Sequence, residues 1–346
     1  MSQLTGWSIA VVVAGCVAAP FWWLTSSAPA LTPDTPELPV VDADDPPKKS
    51  GFASDAVPGA AADIKFDGER AVKYVKLLCD IGPRVSGTEG MKKQQELLER
   101  HFKALGATVT RQEFKAKQNS RREKTDMTNL IVTWHPEKTR RVVICAHYDT
   151  RPIADQEPDR GNWNKPFASA NDGTGGVAWM MEMAHHMKTV KTEFGVDFLI
   201  VDGEEYVFVN DRSDKYFFGS DYFADDYMKT KATRKHRYDA GVVLDLCTGK
   251  DAKLRVELNS YEAAPTLVDQ IWGTAKEVGA KSFLYERGHE VQDDHLALIR
   301  AGIPTVDIID FDYEHWHKLS DTPDKISGNQ MAELATVLTT WIGKIK

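Results

Sequence analysis

Four short apolar runs in this chain each end at side chains able to hold a metal or move a proton. Residues 142–146 (VVICA) are followed by His147 and Asp149, and residues 197–201 by Asp202, Glu204 and Glu205. Residues 242–246 contain Asp245, and residues 305–309 lead through a short loop to Trp316 and His317. A further carboxylate, Asp172, lies in SANDGTGG, directly ahead of a helix-like pattern. Imidazole nitrogen and carboxylate oxygen are ordinary zinc ligands, and a catalytic zinc keeps one position open. Singly these residues say little, since an aspartate before a helix is usually a cap and a Glu-Glu pair usually faces water. Open α/β sheets, however, build their sites beyond the carboxyl ends of their strands. Recurrence at that one place argues for a zinc-dependent catalytic rim.

The elements that must position this rim alternate along the chain. Residues 69–80 put Val72, Val75, Leu78 and Cys79 on one helical face, and a second helix pattern covers 89–105. Strand-like runs at 108–114 and 129–134 precede the four apolar runs, and further helices fit 175–187, 265–278 and 330–345. Near-continuous apolar strands alternating with helices predict an α/β fold: a single domain with a central, mostly parallel mixed sheet covered by helices on both faces.

The 346 residues carry a net charge of -8 with no dense Lys/Arg stripe, which argues against nucleic acid as a partner. The short basic run around Arg121 and Arg122 reads as a solvated turn between two strands. The four cysteines (Cys16, Cys79, Cys145 and Cys247) form no CxxC pair, so any metal falls to histidine and carboxylate. Residues 7–24 are uncharged and near the length that spans a bilayer. Residues 1–25 are therefore expected to be a membrane anchor, a cleaved signal, or a lipoprotein signal at Cys16, although no Lys or Arg precedes the run. Residues 26–62, with Pro33, Pro36, Pro39, Pro46 and Pro47 among Asp and Ala, read as an extended linker. A catalytic domain is expected over 63–346, exported and either tethered at its amino terminus or released to the periplasm or medium.

The motifs HYDTRP, SANDGTGG, DGEE, LDL, DDHLALIRAGIP and WHKLSDTPDKI, in that order, resemble peptidase family 28. That family comprises aminopeptidase-type zinc exopeptidases and their glutaminyl cyclase relatives. CDIGPRVSGTEG resembles the segment that opens the fold, and the resemblance runs from about residue 66 to the end. The aminopeptidase branch implies two zinc ions, one on Asp172, Glu205 and a histidine, the other on His147, Asp172 and Asp245. The cyclase branch implies one zinc on Asp172, Glu205 and His317. There Glu204 is the acid/base, Asp245 and Asp293 supply a hydrogen-bonding network beside it, and Trp316 covers the substrate.

Every ligand for both schemes is present. Trp316 directly before the histidine, the Asp293-Asp294-His295 triplet and the long stretch from His147 to Gly173 favour the cyclase branch. The implied activity is glutaminyl-peptide cyclotransferase, converting the amino-terminal Gln of peptides to pyroglutamate with loss of ammonia; the alternative is a two-zinc aminopeptidase. Both need a free peptide amino terminus. Asn210 and Asp312 stand where cyclases place pocket aromatics, and His185, His186, His289, His295 and His315 are expected mostly in loops or at the surface.

Overall fold

The computed structural model of the protein describes residues 64–209 and 213–346, so the expectations for residues 1–62 and for Asn210 lie outside the described residues. Helix α1 (Gly68–Cys79) starts where the Asp67 side chain accepts from the Arg70 amide, and it turns Ala71, Val75 and Leu78 inward. Helix α2 (Glu89–Ala104), capped by Thr88, is followed by strands β1 (Thr108–Ala116), β2 (Thr125–Trp134) and β3 (Arg140–His147). Next come α3 (Thr174–Met183), β4 (Gly195–Val201), α4 (Phe218–Thr230) and β5 (Arg237–Asp245). The chain continues through β6 (Leu254–Val256), α5 (Leu258–Ala263), α6 (Pro265–Val278) and β7 (Phe283–Arg287). It closes with α7 (Asp294–Arg300), β8 (Thr305–Ile309) and α8 (Gly328–Lys344).

The main sheet is six-stranded, ordered β1-β2-β4-β3-β5-β8. Its outer pairings, β1 with β2 and β2 with β4, are antiparallel, whereas β4, β3, β5 and β8 run parallel. Because side chains alternate along a strand, Val142, Ile144 and Ala146 of β3 join one core with α1, α2, α3, α6 and α8. Val143 and Cys145 point the other way, against Phe223, Ala224 and Tyr227 of α4 and Leu298 of α7. Helices on both faces explain why the central strands read as unbroken apolar runs. One buried ion pair crosses this sheet: Arg141 donates to both oxygens of Asp197, at 2.8 and 2.7 Å, and the Tyr238 hydroxyl donates to the same carboxylate at 2.7 Å.

The basic run holding Arg121 and Arg122 is the exposed connection between β1 and β2, with the Arg121 guanidinium 4.3 Å from the Phe208 ring centre. Helix α4, the short α5 and the two-stranded β6–β7 ribbon were not expected from sequence. Helix α4 buries Phe223, Ala224 and Tyr227 but carries Asp and Met among them, so its apolar stripe is too thin to read. The strand FLYER alternates half-buried and exposed positions over five residues, too few for a periodicity to register.

Candidate active site and metal centre

Parallel strands bring their carboxyl ends to one edge of the sheet, and the site residues are distributed along it. His147 ends β3, Asp245 ends β5, Glu204 and Glu205 follow β4 across Gly203, and His317 follows β8. Asp172 stands one residue before Gly173, the N-cap of α3. Gly173 adopts φ 74°, and a Cβ there would lie 2.6 Å from His147 Cε1. Only glycine lets this helix start so close to the imidazole.

Asp172 sits between the two histidines. Its Oδ1 lies 3.2 Å from His147 Nε2 and its Oδ2 lies 3.7 Å from His317 Nε2. His317 Nε2 also contacts Glu205 Oε1 within hydrogen-bonding range. On the far side, His147 Nε2 is 3.3 Å from Asp245 Oδ1. Glu204 approaches the group only through His147, with Oε2 at 3.8 Å from Nδ1. The two adjacent glutamates are thus separated: Glu205 turns to His317, while Glu204 stands beside the cluster. Among the described residues two buried groups offer three ligand atoms within 4.8 Å of one another: His147, Asp172 and Glu205 here, and Asp293, His295 and Asp307.

The electrostatics favour a cation. Burial pushes Glu204 well above the usual carboxyl range, with Glu205 and Asp293 adding to the effect and His147 opposing it. Burial also raises Glu205, helped by Asp172, and pushes Asp245 up to about 7. Asp172 Oδ2, Glu205 Oε2 and Asp245 Oδ1 are buried and have no hydrogen-bond donor. Unpaired anions in a dry cleft are costly, and a divalent cation taking nitrogen and oxygen donors relieves that cost. No thiol lies among these donors, so the residues fit such an ion.

Behind the ligands stands a layer that sequence reasoning either missed or left without a role. Asp149 accepts from the backbone amides of Glu204 and Glu205, both at 3.1 Å, and so fixes their turn. Asp321 accepts from the amides of Asn171 and Asp172 at 3.0 and 3.2 Å, and from the Tyr313 hydroxyl at 2.7 Å. Asp155 stands 3.0 Å from His317 Nδ1 and is gripped by Arg151. The available signal was position: Asp149, Arg151 and Asp321 fall inside the same motifs as the ligands, and Asp155 lies three residues past HYDTRP.

Asp293 N-caps α7, one oxygen accepting from Asp294 N, while Oδ2 has no partner and its charge acts on Glu204 and Asp245. The Trp316 ring centre is 4.2 Å from that of His317 and 5.1 Å from that of Phe311. Asp312 instead pairs with Arg255 and His289, each at 2.8 Å, so Phe311 supplies the aromatic beside Trp316. His295 departs from expectation: it is fully buried, between Glu257 at 3.2 Å and Asp307 at 3.6 Å.

Backbone strain concentrates here as well. Among the described residues, six other than glycine have positive φ, and Ser169 (53°), Phe217 (64°), Leu246 (48°) and His317 (52°) all border the site. Phe217 does so by donating its amide to the Glu204 carbonyl at 3.0 Å. Such conformations persist only where the surroundings enforce them, and they gather at functional sites.

A sequence profile for Peptidase family M28 matches residues 129–342. The crystal structure of a glutaminyl cyclase from Fimbriiglobus ruber is 57% identical, with a TM-score of 0.81, over 82% of this chain and 97% of that one. A structure described as a leucine aminopeptidase precursor from Bacteroides thetaiotaomicron is 31% identical, with a TM-score of 0.75, over 82% of this chain and 99% of its own. The glutaminyl-peptide cyclotransferase of Bothrops jararaca is 23% identical over 243 residues, covering 62% of this chain and 64% of the relative. The match therefore spans somewhat less than two thirds of that relative's length.

Proposed function

The chain belongs to peptidase family M28, and on that premise we propose that it is a zinc-dependent glutaminyl-peptide cyclotransferase acting on peptides and proteins with amino-terminal glutamine. The observation that carries the reading is the unliganded Glu204 beside the cluster, in a chain 57% identical to a glutaminyl cyclase. Asp172, Glu205 and His317 would hold the ion, which when bound supplies Lewis acidity to the γ-amide carbonyl of the substrate.

Glu204 takes a proton from the substrate's α-amine, whose nitrogen attacks the γ-carbonyl carbon. As the bond to the amide nitrogen breaks, Glu204 returns that proton, so ammonia leaves and pyroglutamate remains. Nucleophile and electrophile belong to one molecule, so the protein's task is mainly orientation. Asp149 holds the turn from which Glu205 reaches His317 and Glu204 stands aside. Asp293 adds to the negative field around Glu204, and Trp316 packed on Phe311 would form the wall over the glutamine side chain. Residues 1–25 would direct export or anchor the chain, with 26–62 as the tether and 63–346 as the catalytic domain. Among the described residues no helix is long and apolar enough to cross a membrane.

One observation favours a second reading, a two-zinc aminopeptidase. The oxygens of Asp172 face opposite histidines, and His147 also meets Asp245, as a bridging carboxylate between two ions would require. Incubation of the full chain with Gln-initiated and Leu-initiated dipeptide substrates, with zinc counted per chain, separates the two. Ammonia from the first substrate only, with one zinc, is expected. Cleavage of the Leu substrate with two zincs overturns the cyclase reading.

A further inference from the structure

The loop after β3 reaches back over the cluster and places two charged, buried side chains against the ligands. Asp155 Oδ1 lies 3.0 Å from His317 Nδ1, the ring nitrogen turned away from Glu205. Arg151, 2% exposed, donates to both oxygens of Asp155, from Nε at 3.0 Å and Nη2 at 2.9 Å. Its Nη2 also reaches the Tyr216 hydroxyl at 2.9 Å, and the guanidinium carbon lies 5.3 Å from that ring's centre. The remaining nitrogen, Nη1, is buried without a hydrogen-bond partner and stands 3.6 Å from Glu205 Oε1. The same loop holds the His317 backbone, Gln156 N donating to its carbonyl at 3.3 Å, although His317 sits at φ 52°.

We propose that Asp155 is the positioning residue of the metal centre and that Arg151 couples two of its ligands, His317 through Asp155 and Glu205 directly. The inference rests on the reading of Asp172, Glu205 and His317 as zinc ligands. A metal-bound imidazole needs its other N–H held by an acceptor, which fixes both the tautomer and the ring plane. Asp155, whose Oδ1 stands 3.0 Å from Nδ1, is the acceptor placed to do this for His317, with Nε2 facing Asp172 and Glu205. Arg151 sets the angle of Asp155 through a two-pronged contact that a lysine cannot reproduce. It also neutralises a carboxylate that would otherwise be buried alone.

The charges give this arrangement a sign. With Asp155 present, the Arg151 cation is compensated. Without it, an unpaired guanidinium stands beside Glu205 and repels a dication bound there. Removal of Asp155 therefore costs zinc twice, through a loosened His317 and through the exposed charge of Arg151. Removal of Arg151 in the same chain takes away the second effect. A loop that only glued the fold together would give the opposite order, with the double variant worse than the single one.

The test is zinc release from the full chain to a chromophoric chelator, for wild type, Asp155→Ala, Asp155→Asn and the double variant Asp155→Ala/Arg151→Met. Each zinc-free protein is melted in parallel. Asp155→Ala is expected to weaken zinc retention about 10- to 100-fold. Asp155→Asn, which still accepts from Nδ1–H, should fall between that variant and wild type. The double variant should regain part of the loss, and zinc-free melting should not follow the same order. Zinc release from both single variants at the wild-type rate overturns the proposal, as does a double variant that loses zinc faster than Asp155→Ala. If Asp155→Ala does not fold, the isosteric Asp155→Asn carries the comparison, and wild-type release from it is the refuting result. Wild-type chain that binds no zinc at all overturns the ligand reading and this inference together; zinc held equally by every variant overturns this inference alone.

Discussion

Replacing Glu204 by glutamine keeps its shape and removes its proton traffic. Glu204 is 9% exposed, and its nearest basic atom is His147 Nδ1 at 3.8 Å, so no ligand contact is lost. The backbone on either side stays on Asp149 through the two 3.1 Å hydrogen bonds, which leaves Glu205 in place. The expected outcome is full zinc content with a rate lowered about 10²–10⁴-fold, the usual worth of a positioned acid/base. That corresponds to about 3–5 kcal/mol of barrier.

Stability moves the other way. Burial raises the folded-state pKa of Glu204, so the metal-free chain loses stability as pH climbs from the ordinary carboxyl range to that raised value, and the loss is complete above it. The neutral glutamine should therefore melt no lower than wild type, with its advantage greatest at alkaline pH. Ammonia release from a Gln-initiated dipeptide, followed by a coupled dehydrogenase assay, measures the rate; atomic emission measures the zinc. A rate close to wild type refutes the assignment of the base. Loss of zinc with the rate means that Glu204 and Glu205 have exchanged roles.

Gly173→Ala forces a left-handed residue against His147, costing at least about 1–2 kcal/mol, which a lowered melting temperature would register. Arg141→Met leaves Asp197 buried without its cation and should cost about 3–5 kcal/mol in urea unfolding. Trp316→Ala should raise KM for Gln peptides about tenfold, equivalent to about 1.4 kcal/mol, with little change in kcat. Asp312→Ala should leave KM unchanged, because that side chain is committed to Arg255 and His289. Asp245→Asn should retain one zinc per chain and lose activity; a count falling from two to one would favour the aminopeptidase.

Sequence legibility followed physical constraint. Strands β3, β4, β5 and β8 are covered on both faces, so their apolar runs were readable, and the ligands at their ends were located by the same signal. Helix α4 and the β6–β7 ribbon bury too few side chains to leave a pattern. The residues that converge on the sheet edge were legible as residue types at strand ends and before α3, but their separate placements were not. Glu204 and Glu205 are adjacent in sequence, and only the turn held by Asp149 sends one to His317 and leaves the other free. Arg151 and Asp155 went without a role for a different reason: beyond their place in or near HYDTRP, an Arg and an Asp in a long polar loop look solvated, and both are buried. His295 was misjudged on the same ground. Its burial is made tolerable by Glu257 and Asp307, which lie 38 and 12 residues away in the chain.

The choice between one metal and two comes down to what stands between His147 and Asp245. Their facing atoms are 3.3 Å apart and Asp245 Oδ1 has no hydrogen-bond donor, so either a proton moved between them or a second cation would satisfy the pair. Burial and the charge of Asp293 raise the Asp245 pKa to about 7, which favours a proton on this pair when no cation is bound. Asp149 stands 3.5 Å from His147 Nδ1 and puts a second carboxylate beside the ring. With both ring nitrogens facing carboxylates, His147 is better disposed to be a charged donor than a ligand offering a lone pair. A protonated His147 would also sit beside Glu204 and stabilise its anion between the two proton transfers. On the cyclase reading proposed above, a proton would take the place between His147 and Asp245 that the aminopeptidase scheme gives to a second ion. Asp172, with one oxygen towards each histidine, would then hold two imidazoles apart, one on the ion and one charged.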